Sequence, residues 1–402
     1  MTTVHLKPHK EESLLRFHPW VFSGAIRSIE LDADYPHAQP QEGEIVKVVD
    51  CKGKILGVGH YQIGSIAVRI LEFGVEELPK DFWKTRIAAA YGVRESLGLV
   101  TEENNTYRLI HGEGDFLPGL IVDVYADTAV IQAHSVGMHY HREEIAEAIV
   151  EAVAQVDKVY YKSDDTLPHK ANIQGDRVGY LIGGDRVEDK EFWAKENGLS
   201  FRIDWLRGQK TGFFIDQRDN RALLEQYAKD KDVLNMFCYT GGFSVYALRG
   251  GAKKVHSVDV SQKAVDLVRS NVAYNFGEDA PHEAFAEEAF EFMTKNTNTY
   301  DLIILDPPAF AKHRDAVKNA LRGYQRLNAK GIQSIRPGGI LFTFSCSQAI
   351  DKDMFRLAVF SAAAQVGRKV RILHQLHQPA DHPINIYHPE GEYLKGLVLQ
   401  IE

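Results

Sequence analysis

The 402 residues exceed one ordinary domain, so two or three domains, each with its own hydrophobic core, are expected. A composition of 44% hydrophobic and 25% charged residues is globular. No apolar run is long enough to cross a bilayer, and the polar opening MTTVHLKPHKEES is no secretory signal. Three scattered cysteines (Cys51, Cys238, Cys346) exclude a disulfide framework or a cysteine zinc site and favour a cytoplasmic location, while a net charge of −8 excludes a general nucleic-acid coat and leaves only local basic patches for such a partner.

Residues 1–73 read as short β segments, among them Glu44 to Val49, Ile55 to Val58 and Ile66 to Leu71, separated by Gly43, Lys52-Gly53-Lys54 and Gly64. This is the pattern of a small β-barrel or sandwich. From residue 74 to about 195 the pattern is mixed α/β. Apolar positions at helical spacing (Phe82, Ile87, Ala90, Tyr91, Val93, Leu97) predict a helix over 81–98 that stops at Gly98. Strands are predicted at 119–125, 129–134 and 157–161, a helix at 141–155, and a Gly/Asp-rich loop or hairpin from about 165 to 190. Residues 196–402 alternate strand and helix. Strands are expected at Asp232 to Met236, Lys254 to Val260, Asp301 to Leu305 and Ile340 to Phe344, with helices at Phe243 to Arg249 and about Gln262 to Asn275. Alternation of this kind predicts a parallel, doubly wound sheet whose ligands bind at the strand C-termini.

The first of these strands runs into Phe237-Cys238-Tyr239-Thr240-Gly241-Gly242-Phe243. Two glycines allow a tight turn and a close approach to a ligand, and the following helix offers free N–H groups. The next strand ends at Asp259, about 20 residues on, where an acid is placed for ribose hydroxyls. Strand, glycine loop, helix, strand and acid together indicate a nucleoside cofactor. The glycines do not form G-x-G-x-x-G, so a dinucleotide is disfavoured.

The strand Asp301 to Leu305 leads straight into Asp306-Pro307-Pro308-Ala309-Phe310. The prolines stop the strand and stiffen a loop that can hold a carboxylate against a flat heterocycle, although a plain strand-ending turn would look the same. The following strand ends in Phe344-Ser345-Cys346-Ser347, which brings a thiol to the same sheet edge as the glycine loop, Asp259 and Asp306. A lone cysteine is usually a small buried hydrophobe. Here it is flanked by serines, leaves the core at a strand end and faces the predicted cofactor. Those residue types fit pyrimidine C5 chemistry: a thiolate added to C6 makes C5 nucleophilic, and a carboxyl group near N3 stabilises the developing charge. Methylation of an amine or ring nitrogen needs no thiol.

Beyond the prolines, Arg314, Lys318, Arg322, Arg326 and Lys330 fall one turn apart if 314–330 is helical. Such a stripe repels itself, and a phosphate backbone would relieve it; a solvated helix face is the alternative. Tyr324 on the same stretch could stack on a base or belong to the core.

With these motifs in hand, the chain resembles the bacterial ribosomal RNA large subunit methyltransferase I family, which makes 5-methylcytosine in 23S rRNA. The resemblance is carried by Pro19-Trp20-Val21-Phe22-Ser23-Gly24-Ala25, by Tyr107 to Glu113 with Leu117-Pro118-Gly119-Leu120, and by Lys210 to Arg218. It continues through Val233 to Phe243, Val258-Asp259, Asp306-Pro307-Pro308, Arg322-Gly323-Tyr324, Phe344 to Ser347, Ala380-Asp381-His382-Pro383 and Tyr393-Leu394-Lys395-Gly396. It implies an N-terminal PUA-like RNA-binding domain (1–73), a central α/β domain (74–195) and a C-terminal Rossmann-like class I domain (196–402) dependent on S-adenosyl-L-methionine (SAM). It implies Cys346 as nucleophile with Asp306 as its partner at the base. Gln217, Phe237, Tyr239, Gly241 and Asp259 are implied around SAM, and Thr240 and Asp306 are taken with them. It further implies 23S rRNA or a large-subunit assembly intermediate as partner; a homodimer is possible, and the basic stripe makes Arg314, Lys318, Arg322, Tyr324 and Arg326 the candidate RNA contacts. The chain departs from the family at Glu288, where relatives usually carry Asp near the adenine, and at Ala309, where they often carry Lys. It has no second cysteine after the prolines to serve as base for the C5 proton. A guanine N-methyltransferase predicts a dispensable Cys346, and a catalytically inactive RNA-binding protein would need none of these groups together.

Overall fold

A computed structural model of the chain describes residues 1–32, 37, 39–168, 173–184, 191–311 and 314–402. They form two compact units. The first takes in residues 1–190, Asp204–Gly212 and Ala380–Gly391; the second takes in Glu191–Ile203, Phe213–Pro379 and Glu392–Glu402. The division therefore does not follow the consecutive blocks 74–195 and 196–402. The reason is buried bonding: Arg94, fully buried, is bidentate to Asp115 (2.5 and 2.8 Å) and donates to the carbonyl of Asp381 (2.7 Å), while the Asp381 carboxylate accepts the Arg108 N–H (3.0 Å). Thr211 likewise donates to the buried Asp123 (2.6 Å).

In the first unit a six-stranded sheet runs Trp20–Phe22, Ile66–Phe73, Ile55–Tyr61, Ile45–Val49, Thr3–Leu6, Ile26–Glu30. All neighbours are antiparallel except Thr3–Leu6 and Ile45–Val49, which are parallel. The three expected strands are present, Ile55–Tyr61 three residues longer than predicted; Thr3–Leu6, too short to show periodicity, was not foreseen. A second, five-stranded sheet is ordered Val178–Ile182, Lys158–Lys162, Thr128–Ala133, Leu120–Tyr125, Thr106–His111. Ile87, Ala90, Ile145 and Ile149 of the helices Phe82–Ser96 and Arg142–Ala152 share one core with Leu109, Val122 and Ile131 of its strands.

The second unit is built on a seven-stranded sheet: β1 Asp232–Met236, β2 Lys254–Asp259, β3 His282–Ala286, β4 Leu302–Leu305, β5 Gly339–Ser345, β6 Val370–His377 and β7 Lys395–Ile401. Their spatial order is β3-β2-β1-β4-β5-β7-β6. The first five are parallel, and β7 runs antiparallel to both neighbours. Leu302 to Leu305 and Asp232 to Met236 are buried throughout, as strands covered on both faces must be. The helices are α1 Arg218–Glu225, α2 Gly242–Arg249, α3 Gln262–Phe276, α4 Ala289–Lys295, α5 Val317–Ser334 and α6 Lys352–Val366. Ser261 and Asp351 cap α3 and α6, each accepting an N–H of its first turn (3.4 and 2.7 Å). The strand order reverses between β1 and β4, which places the crevice for ligands at the C-terminal ends of β1, β2, β4 and β5.

Candidate active site

The loop after β1 is held in an uncommon conformation. Phe237, Tyr239 and Gly241 all take positive φ (57°, 46° and 78°). At Gly241 space forbids a side chain as well as φ, because a Cβ would lie 2.8 Å from Cγ1 of Val268 on α3. Asp259, at the end of β2, ties this loop to α3: Oδ2 accepts the Tyr239 N–H (3.1 Å) and Oδ1 the Ser261 N–H (3.0 Å). Lone pairs remain on both oxygens for hydroxyl donors. Beside it Val260 is 74% exposed, an apolar surface next to an acid, which suits the base and ribose of a nucleoside. Thr240 is buried, and its carbonyl accepts from the Asn271 amide (2.8 Å). Glu288 is the N-cap of α4, one carboxylate oxygen accepting the N–H groups of Phe290 and Glu291 (2.8 and 3.3 Å). Sequence reading places both residues at the cofactor; here the Thr240 side chain is buried, and one Glu288 oxygen caps a helix.

The loops after β4 and β5 carry the reactive groups. Asp306 opens the stretch that Pro307 and Pro308 stiffen, and its Oδ2 accepts from the Gln217 amide (3.1 Å), whose own oxygen accepts from Asn220 (2.7 Å). The Gln217 side chain, buried and expected at the cofactor, is thus committed to orienting Asp306. Burial pushes the Asp306 carboxyl up to about 7; Asp216 adds to the rise, while the Gln217 bond and Arg221 oppose it. Arg221 is itself bound to the buried Glu196 (2.9 and 2.7 Å). Cys346, one residue past β5, has its thiol pushed up to about 12 by burial, then by Asp306 and Asp216, with Lys395 pulling the other way. Asp216 accepts the Tyr393 hydroxyl (2.7 Å). The thiol is partly buried and packs against the core of Val233, Phe342 and Phe344, while Asp306, Asp216 and Lys395 act on its charge.

The helix expected over 314–330 is α5, preceded by a single 3₁₀ turn, Arg314–Ala316. Lys318, Arg322 and Arg326 are exposed on it; the side chain of Arg314 lies outside the described residues. Tyr324 corrects the sequence reading. It is fully buried, its hydroxyl sharing a hydrogen bond with Ser347 (2.9 Å) and its ring 4.6 Å from that of Phe310, so it cannot stack on an RNA base. The apolar stripe of α5 (Ala320, Tyr324, Leu327, Gly331) claims it for the core.

Residues 164–391 match the family model for an S-adenosylmethionine-dependent methyltransferase, and residues 4–73 match one for a PUA-like domain. A protein of Tolumonas auensis named Ribosomal RNA large subunit methyltransferase I is 40% identical over 99% of both chains. This chain belongs to that family. An Alteromonas mediterranea protein of the same name is 39% identical, over 99% of this chain and 98% of its own. Among solved structures, a methyltransferase-type chain determined with S-adenosylhomocysteine superposes with a TM-score of 0.82 over 100% of both chains at 23% identity, which speaks for the fold. The cofactor of the family is SAM, and the Asp259–Tyr239–Gly241 cradle with Val260 fits its nucleoside. Among the described residues no helix is long and apolar enough to cross a membrane. Sequence reasoning gave no role to Asp216, Val260, Tyr393 or Lys395, although Asp216 lies in the segment Lys210 to Arg218 and both Tyr393 and Lys395 in Tyr393-Leu394-Lys395-Gly396, which carry the resemblance. Lys395 lies 49 residues beyond Cys346 and meets it only through the pairing of β5 with β7.

Proposed function

We propose that this protein forms 5-methylcytosine in the 23S RNA of the large ribosomal subunit, using Cys346 as nucleophile. The observation that carries the reading is the thiol of Cys346, set with Asp306 and Asp216 at the sheet edge that also holds the Asp259 cradle. The Cys346 thiolate adds to cytosine C6, and the electron pair of the C5–C6 double bond moves onto the ring. Asp306, which keeps its proton up to about pH 7, donates a hydrogen bond to N3 and stabilises that charge. SAM, held by Asp259 and the Phe237–Gly241 backbone, supplies when bound the electrophilic methyl group. With the methyl group on C5, the C5 proton passes to water, and the electron pair of its broken C–H bond restores the C5–C6 double bond and expels Cys346 as thiolate.

Residues 1–73 serve as the RNA-recognition module, and Lys318, Arg322 and Arg326 meet the phosphate backbone near the target base. Both free 23S RNA and an assembly intermediate of the subunit present such a backbone.

The test is to incubate the protein and a Cys346→Ala variant with labelled SAM and unmodified rRNA, then identify the methylated nucleoside. 5-Methylcytosine from the unaltered protein and a loss of at least about 10³-fold in the variant are expected. Methylated guanine, or full activity without the thiol, would reject the reading and leave Cys346 as a packing residue.

A further inference from the structure

Lys395 is an anomaly. It opens β7, is only 6% exposed, and its cross-strand partner on β5 is Ser345, the residue before Cys346. Its ammonium has no carboxylate hydrogen-bond partner. Nζ donates instead to two backbone carbonyls, of Ser347 (2.6 Å) and Tyr393 (2.8 Å). A buried cation held by neutral acceptors is costly, and a lysine is removed from water in this way when its charge is needed where it stands. One carbonyl belongs to the residue after Cys346 and the other to Tyr393, whose hydroxyl binds Asp216, so the ammonium is tied to the backbone beside the thiol.

We propose that Lys395 is the positioning residue that makes the Cys346 thiolate accessible, its ammonium held beside the thiol by the Ser347 carbonyl and opposing the two carboxylates that resist ionisation. The proposal rests on Cys346 as nucleophile. The charged and titratable groups around the pair make the case. Around Cys346 stand Asp306 and Asp216, which oppose ionisation, the Tyr324 phenol, and Lys395, which favours it. Around Lys395 stand Cys346, Asp351 and Glu392, all favouring its charged form against burial. Glu392 is drawn off by an ion pair with Lys352, and Asp351 by its cap of α6. The thiol is thus the acid best placed to profit from the ammonium. Ionisation breaks the S–H bond, releases the proton to water and leaves both electrons on sulfur beside the cation. Burial also holds the Lys395 ammonium down to about 8, so its support fades above that pH.

The experiment reads the thiol directly, without RNA. The full chain is alkylated with iodoacetamide from pH 6 to 10, and the Cys346 peptide is quantified by mass spectrometry, separately from Cys51 and Cys238. Lys395→Gln keeps an amide donor for the carbonyls but removes the charge. It is expected to alkylate about tenfold more slowly at fixed pH, its profile displaced upward by about one unit, with SAM affinity unchanged. Lys395→Arg keeps the charge, should stay within about threefold of the unaltered protein, and should overtake it above pH 8, where lysine loses its proton. A Lys395→Gln profile superposing on the unaltered one overturns the proposal. If that variant does not fold, a Lys395→Arg profile with no gain above pH 8 does the same. Because alkylation needs neither RNA nor SAM, these outcomes stand apart from the nucleoside assay that judges Cys346 as nucleophile.

Discussion

The two units each bury charge, and they do so to opposite ends. In the first, Arg94 meets every need of its guanidinium: both oxygens of Asp115 and the carbonyls of Asp381, Arg108 and Ala90 accept from it, and Asp115 also accepts the His111 N–H (2.6 Å). In the second, no ion pair matches the charges of Asp306, Cys346 and Lys395: Asp216 raises Asp306, both carboxylates raise Cys346, and the ammonium's hydrogen bonds go to carbonyls. A buried pair of matched opposite charges holds structure, whereas buried acids set near one another shift the titration of their neighbours, the usual mark of a reactive site.

The sharpest way to break this contrast is on the structural side. Arg94→Ala strands Asp115 in the interior and should cost about 3–5 kcal/mol in urea unfolding, whereas Arg94→Met with Asp115→Leu should recover most of it. Equal losses in both variants would show that the pair holds the fold through more than charge satisfaction. On the reactive side, Asp306→Asn should lower methyl transfer by about 10²–10³-fold while leaving Tm at pH 8 unchanged or higher; a fall of Tm there would make Asp306 structural.

The pH dependence follows from the same carboxyl. In the folded chain it titrates near 7, against an ordinary value of 3.8, so between those values the folded state holds a proton that the unfolded state has lost. Its stabilising contribution is complete below about 4 and fades as pH rises through 7. The Tm of Asp306→Asn relative to the unaltered protein should therefore climb from pH 4 to 7 and then level off; a flat difference would place Asp306 in water. The smallest effect belongs to the exposed face of α5. Replacing Lys318, Arg322 and Arg326 together by Gln should reduce the salt dependence of RNA binding by about 2 to 3 in log–log slope and leave SAM affinity alone, which a filter-binding titration at several salt concentrations decides.

What the sequence made legible is what is local. The β1 loop, Asp259, Asp306 and Cys346 each stand where a strand runs out, and strand ends are readable from an apolar run followed by glycine, proline or serine. The C-terminal third was read less fully. β6, an edge strand, breaks its alternation at Ile372-Leu373 and His374-Gln375, where its register shifts, and carries no buried run, and β7 follows a long irregular stretch; neither was anticipated. With β7 unseen, Lys395 had no place in the site. Tyr324 is the opposite case. It stands two residues from Arg322 and from Arg326, about 200° around α5 from each, so once the stretch is helical its spacing already sets it away from the basic face. The first unit's claim on Ala380–Gly391 was invisible, because nothing near Asp381 in sequence hints at Arg94.

That claim has a consequence for how the protein is made. Arg94 and the Arg108 amide find Asp381 across 287 and 273 residues. At about 5–20 residues per second, some 10–40 s of synthesis separate the emergence of residue 190 from that of residue 381. During that interval the strands of the first unit have been made but Asp381 has not, so the Arg94 guanidinium lacks one of its acceptors. The final closure of the N-terminal half is therefore a late event, timed by the translation of the C-terminal half.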